Sequence, residues 1–281
     1  VDALSRILGV DRPVPTVMVS ALTAEESPIT FEGLELGAVD FVEKVASLPL
    51  HREELARRLA AAALVDPRKI RWARLQRPFP PPPRRAGPTP SRAVAVLAGR
   101  PGMAPLLALL NGLPAGYGAG FVVLLDLPAA VVRAFAAYLD RFSSLRVRAL
   151  LDSAPLLPDT VHLVPVSRPA LVVGKGGTPW LSPLDPPRGA DPSAGAAHFC
   201  TSVFEAFPGR ATCVLLAGAP PGSDTGLAEA RRRGLPALCQ SPDSATETGA
   251  LVRALQRVPA SATGGVATLL SAVVASLTGA P

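Results

Sequence analysis

Residues 93–102 read Ala-Val-Ala-Val-Leu-Ala-Gly-Arg-Pro-Gly. Six apolar residues without a charge predict a strand buried on both faces. Gly99-Arg-Pro-Gly102 predicts a turn, because Pro101 lacks the amide that strand pairing needs. Met103 to Gly112 then predicts a helix. Strand, tight turn and helix in that order open a parallel α/β unit.

The pattern repeats downstream. Phe121 to Leu125 predicts a second buried strand and Pro128 to Phe142 a second helix. Val161 to Val164 and Ala170 to Val173 predict a hairpin across Pro165 to Pro169. Ser202 to Phe207 reads as helix, Ala211 to Leu216 as strand, and Gly218 to Gly226 as a Gly/Pro loop. Leu227 to Gly234 reads as helix, Pro236 to Cys239 as strand, and Thr248 to Gln256 as helix. The expected fold is α/β: a doubly wound, mostly parallel sheet with helices on both faces. A site then belongs at the C-terminal ends of the strands. Gly174-Lys-Gly-Gly177 is too short for a phosphate loop and reads as a turn.

Upstream, Phe79-Pro-Pro-Pro-Pro-Arg-Arg-Ala-Gly-Pro-Thr-Pro90 forms neither a helix nor an inner strand. It reads as an extended spacer, with a peptide ligand for an aromatic groove as the minor alternative. Before it, Pro15 to Ala21 predicts a strand, Phe31 to Gly37 a helix, Val39 to Val42 a strand and Arg52 to Leu64 a helix. That β-α-β-α order is half of a doubly wound domain. The expected division is 1–65, a partial receiver-type domain; 66–92, a basic Pro-rich linker; and 93–281, the larger domain.

The bulk composition narrows the function. The chain has 281 residues and a net charge of +6. Residues 66–92 carry eight Lys or Arg against one acid, a net of +7 that exceeds the whole chain's charge. The basic balance therefore belongs to the linker, which argues against nucleic acid. No apolar run is long and uninterrupted enough for a membrane span, including 260–281. Cys200, Cys213 and Cys239 fit no zinc spacing and read as buried reduced thiols, consistent with a cytoplasmic protein. Neither a metal nor a cofactor is expected. No signal peptide opens the chain, and a first residue Val1 without Met is expected of a truncation.

Two stretches carry a resemblance. Pro15-Thr-Val-Met-Val-Ser-Ala-Leu-Thr23 and Thr30-Phe-Glu-Gly-Leu-Glu-Leu-Gly-Ala-Val-Asp-Phe-Val-Glu-Lys44 resemble a response-regulator receiver. Downstream, Ala115 to Pro128 with Arg133-Ala-Phe, Leu157-Pro-Asp-Thr-Val-His-Leu-Val-Pro165, Leu216-Ala-Gly218 and Gln240-Ser-Pro-Asp-Ser244 follow one order. Together they resemble the chemotaxis protein-glutamate methylesterase (CheB) family from about Ala93 to about Gln256. The resemblance implies that Ser20 and Lys44 occupy the receiver's switch positions, where a hydroxyl and a cation meet an aspartyl phosphate. It implies that Asp2 belongs to a turn and that the phosphoacceptor strand and its acidic pocket are absent. Val45 stands where the family has Pro.

The family hydrolyses methyl esters on receptor glutamates with a Ser-His-Asp triad. The resemblance sets Arg100 at the nucleophile's place, Asp126 at the base's and Gly222 at the orienting acid's. Asp224 enters register only with a shift of two. A guanidinium cannot attack a carbonyl and stays charged, and Pro101 removes a backbone donor from the implied oxyanion hole. Substitutes are weak. His162 reads as a hairpin residue, His51 as exposed, and His198 points away from Cys200 on a helix. Arg100 and Asp126 read as a salt bridge between adjacent strand ends, with a small anion held by Arg100 as the alternative.

The expectation is a catalytically degenerate homologue that acts by binding chemoreceptor cytoplasmic tails, a signalling kinase or another regulator. The alternative is an active protein-glutamate methylesterase or glutamine deamidase acting on methyl-accepting chemotaxis receptors. A decayed gene fragment is a third reading.

Overall fold

The computed structural model describes residues 4, 6–7, 14–20, 27–44, 48–65, 87–185 and 192–279. Asp2, the His51 side chain and residues 66–86 of the expected linker lie outside them.

The run that opens the sequence reading is β3 (Arg92–Gly99), and seven of its eight residues are buried. It is the centre of a seven-stranded sheet. Its neighbours are β4 (Ala119–Asp126) and β10 (Ala211–Leu215), and both pair with it in parallel. β7 (Thr160–Pro165) and β5 (Arg146–Ala149) continue one side, and β11 (Ala237–Gln240) and β12 (Ala262–Gly264) the other, giving the order β12-β11-β10-β3-β4-β7-β5. The chain leaves β3 toward β4 and later returns to β10 on its other flank. The switch point therefore lies between β3 and β10, where α/β sheets place their sites.

The two faces of the sheet hold separate cores. α3 (Met103–Gly112), α4 (Ala129–Phe142) and α8 (Val266–Thr278) pack on one through residues such as Leu106, Phe135 and Leu270. α5 (Pro192–Ala206), α6 (Ser223–Arg232) and α7 (Gly249–Arg257) cover the other with Phe199, Phe204 and Leu251. Burying each aromatic or leucine side chain stabilises by about 1.5–3 kcal/mol before conformational entropy is counted. The α/β fold read from the alternation is the fold observed.

The N-terminal pieces form β1 (Val17–Ser20), α1 (Ser27–Leu36), β2 (Asp40–Glu43) and α2 (Leu48–Ala63). β1 and β2 are parallel, with Ser20 opposite Glu43. Gly37, at φ +108°, closes α1. This small unit shares a core with the large sheet: Phe31 of α1 meets Phe135 and Tyr138 of α4 at ring distances of 5.0 and 5.4 Å. Glu35 ties the same interface, accepting from Tyr138 Oη at 2.6 Å and Asn111 Nδ2 at 3.1 Å.

One expectation is overturned. The residues around 161–164 and 170–173 do not make a hairpin. β7 joins the main sheet in parallel with β4, whereas β8 (Ala170–Lys175) leaves it and pairs with β9 (Thr178–Pro183) in a separate three-stranded sheet with β6 (Ala154–Pro155). Pro165 and Pro169 explain the parting, since neither supplies an amide to a tight antiparallel ladder. The true hairpin turn is Gly176-Gly177, at φ +60° and +78° between Lys175 and Thr178. The two left-handed residues suit a two-residue turn, and Gly174-Gly177 is the turn the spacing predicts. The apolar C-terminus holds β12 and the 13-residue α8, and no described helix is long and apolar enough to cross a membrane.

Candidate functional site

The turn after β3 and the loop after β10 are pressed together at the switch point. Arg100 to Gly102 form one 3-10 turn before α3. Gly99 N donates to Ala217 O at 3.0 Å. A Cβ on Gly99 would lie 1.9 Å from Gly218 O, and one on Gly102 would lie 2.5 Å from Ala217 O. Gly218 is left-handed at φ +65° and packs on Pro101. Glycine is required here by space as well as by conformation.

Gln240, at the end of β11, fastens this cluster from beneath. Its Oε1 accepts from Ala217 N at 2.9 Å, and its Nε2 donates to Ser244 O at 2.9 Å. The side chain is fully buried and satisfied, as a buried amide must be. The resemblance over 240–244 assigns Gln240 no task. A lone Gln ending an apolar strand is the signal for it.

Arg100 and Asp126 come together as the resemblance implies: Gly99 and Asp126 are register partners on β3 and β4. They do not form the expected salt bridge among the described ion pairs. The Arg100 guanidinium instead stands over the Phe41 ring of β2, 5.3 Å from its centroid. A planar cation gains both stacking and electrostatic attraction on an aromatic face. Asp126 is exposed at the strand end. Lost hydration at the turn raises its pKa, and the charge of Arg100 partly offsets that.

Phe41 belongs to the small N-terminal unit, so that unit stands over the strand ends. Its Asp40 is buried and pairs with Arg58 of α2 at 2.6 Å. Burial raises the Asp40 pKa, and Arg58 and then Arg100 oppose the rise. A cavity of about 290 Å³ separates Asp40, Arg58 and Ala61 from Pro101, Thr246 and Glu247. No local sequence signal reveals this contact, because Phe41 and Arg100 are distant in the chain.

Gly222 caps α6 in the left-handed region, at φ +85°. A Cβ there would lie 1.9 Å from Ser193 O and 2.7 Å from its carbonyl carbon. An aspartate cannot occupy this backbone unless the start of α5 moves. Asp224, two residues on, is held by Arg257 of α7 at 2.8 Å.

His162 lies away from the site. It sits in mid-β7 opposite Val122, four residues below the Asp126 level. At the rise of a parallel strand that is about 13 Å. Its side chain is buried and Nδ1 has no hydrogen-bond partner. Burial, helped by Arg148, pushes its pKa down to about 4. His198 is exposed while Cys200 is buried, as expected of positions two apart on a helix. A hydrogen bond with Cys213, and then burial, raises the Cys200 thiol's pKa. Such a thiol is a poor nucleophile.

Ser20 and Lys44 do meet at one end of the β1–β2 pair. Lys44 N donates to Ser20 O at 2.7 Å, and Ser20 Oγ accepts from Thr30 Oγ1 at 2.5 Å. No group of three or more His, Cys, Asp or Glu among the described residues is arranged to hold a metal ion.

Known proteins are similar to this chain. A family model described as CheB methylesterase matches residues 94–271. A protein-glutamate methylesterase/protein-glutamine glutaminase 1 of Caulobacter vibrioides is 33% identical over 265 residues, 90% of this chain and 76% of its own length. A protein of the same name, without the numeral, from Pyrococcus abyssi is 27% identical, with 92% and 75% covered. The crystal structure of the Thermotoga maritima CheB methylesterase catalytic domain superposes with a TM-score of 0.59 at 16% identity. It covers 65% of this chain and 97% of that one, and it bears on the fold alone. The sheet order, the loops at its switch point and the match over 94–271 thus converge: this chain belongs to the CheB methylesterase family.

Proposed function

We propose that this chain is a catalytically degenerate family member that serves chemotaxis signalling by binding instead of by ester hydrolysis. The observation that carries the reading is Arg100 in the turn after β3, its guanidinium set over Phe41. An always-charged guanidinium has no lone pair to offer an ester carbonyl. Two further features support it. Asp126 stands where a base would act, and Gly222 leaves no room for an orienting carboxylate. The weaker substitutes do not rebuild a triad: Asp224 is committed to Arg257, and His162 is buried about 13 Å from the strand end.

The same reading divides the chain into a partial receiver over 1–65, a basic linker over 66–92 and a methylesterase-like domain over 93–281. Ser20 and Lys44 are its inherited switch positions. Its partners are chemoreceptor cytoplasmic tails or a signalling kinase.

A second reading, an active methylesterase/glutaminase, is favoured by what the relatives are called. Methanol release separates the two. Methylated receptor membranes incubated with the purified chain are expected to release no methanol above the blank, while receptor tails retain the chain in a pulldown. Turnover that vanishes in Asp126→Asn overturns the degenerate reading.

A further inference from the structure

We infer that the groove along α4 is a docking site for an acidic amphipathic helix of a partner protein. The groove holds about 510 Å³. Its floor is apolar, formed by Pro28 of α1 with Ala134, Ala137 and Tyr138 of α4. Ala130, Arg133 and Arg141 of the same helix complete its lining. Eight residues of helix set these cations about 12 Å apart.

Charge decides the occupant. Both arginines are exposed, and neither has a hydrogen-bond or carboxylate partner among the described residues. Arg141 lies against the Phe142 ring, at 5.4 Å. β5, beside α4, adds Arg146 and Arg148 on the exposed edge of the main sheet. The nearby acids are mostly engaged. Asp140 accepts from Val147 N at 2.7 Å, and Glu35 holds Tyr138 and Asn111. Glu32 on α1 is the remaining carboxylate near Tyr138. An apolar trough lined by two cations eight residues apart on one helix fits a helix whose apolar stripe is flanked by carboxylates two turns apart, about 11 Å. Rim charges of this kind set orientation and partner choice more than raw affinity. The inference holds whether or not the strand-end loops hydrolyse an ester.

The probe is a designed helical peptide of about 16 residues, with two glutamates two turns apart flanking a Leu/Ala stripe. It is titrated by fluorescence anisotropy against the full chain. Its Glu→Gln form is expected to bind about tenfold more weakly, and R133E/R141E to weaken the glutamate peptide to the same degree. A Glu→Lys peptide is expected to recover binding to R133E/R141E. R133Q/R141Q, melted alongside, keeps the test independent of misfolding by charge reversal. Equal binding of the Glu and Gln peptides overturns the inference, as does unchanged binding by R133E/R141E. Anionic lipid vesicles and a DNA duplex are titrated in parallel. Binding to either without the peptide, or no binding at all, also overturns it.

Discussion

Gln240 and His162 are both polar, both buried and both on inner strands of one sheet, yet their surroundings differ in kind. Gln240 has its oxygen and its nitrogen paired, to Ala217 N and Ser244 O. His162 has an unpartnered Nδ1 and a depressed pKa. The first sits at the switch point, where three loops must be held in register. The second sits in mid-strand, opposite Val122. At Gln240 the strand-end loops are held by paired polar atoms, while Arg100, Asp126 and Gly222 beside them are not a Ser-His-Asp set. The packing of those loops and their chemistry are separable properties.

The largest test of that separation is Gly222→Asp, the change that the family resemblance implies. It must displace Ser193 O from 1.9 Å and hold a residue with a Cβ at φ +85°. Overpacking and the left-handed backbone together predict a loss of about 3–4 kcal/mol in urea unfolding. A loss under about 1 kcal/mol would show that the start of α5 yields freely. The loops would then be less tightly determined than the glycine contacts imply. Arg100→Ser with Asp126→His alone is expected to fold and to release no methanol, since no carboxylate orients the new imidazole.

Protonation tests the other side of the comparison. His162 titrates near 4 in the fold against 6.5 unfolded. Between those pH values the unfolded chain holds a proton that the folded chain lacks, so stability falls as pH falls through that window. Two and a half pH units correspond to about 3 kcal/mol. His162→Leu removes the difference. Its stability relative to the parent is expected to rise by about 3 kcal/mol between pH 6.5 and 4, and to change little above pH 7. Parallel curves for the two proteins would mean that the imidazole is charged or solvated in the fold.

Gln240→Leu strikes the satisfied group. It leaves Ala217 N and Ser244 O buried without partners, which predicts a loss of about 2–3 kcal/mol, constant from pH 5 to 8. The contrast in pH dependence between this variant and His162→Leu separates a lost hydrogen bond from a proton-linked cost.

Much of this was legible in the chain. The strands at 92–99, 119–126 and 211–215 are apolar runs between turn residues, and such runs announce themselves. So do helices that begin at Pro128 and end near Gly112. The adjacency of Arg100 and Asp126 was implied by the family resemblance. What escaped has a common physical cause: it depends on contacts distant in sequence. The parting of β7 from β8 depends on a second sheet whose β6 is two residues long. Phe41 under Arg100, Glu35 bridging to Tyr138 and Asn111, and Ser193 against Gly222 each join separate segments. Periodicity carries no information about them.

The smallest effect concerns Asp224, the carboxylate nearest to the expected acid in sequence. It lies in the first turn of α6, where a negative charge favours the helix, and it pairs with a half-exposed Arg257. Both contributions are screened by water and salt, and together they are worth about 0.5–1 kcal/mol. Asp224→Ala is therefore expected to lower stability by about that amount, less at high salt, and to leave the strand-end loops unchanged. A carboxylate that oriented a catalytic imidazole would behave otherwise: its removal would abolish turnover while barely moving the melting temperature. Measuring methanol release and melting on the same variant distinguishes a helix-end ion pair from a catalytic acid. The 2.8 Å contact with Arg257 favours the ion pair.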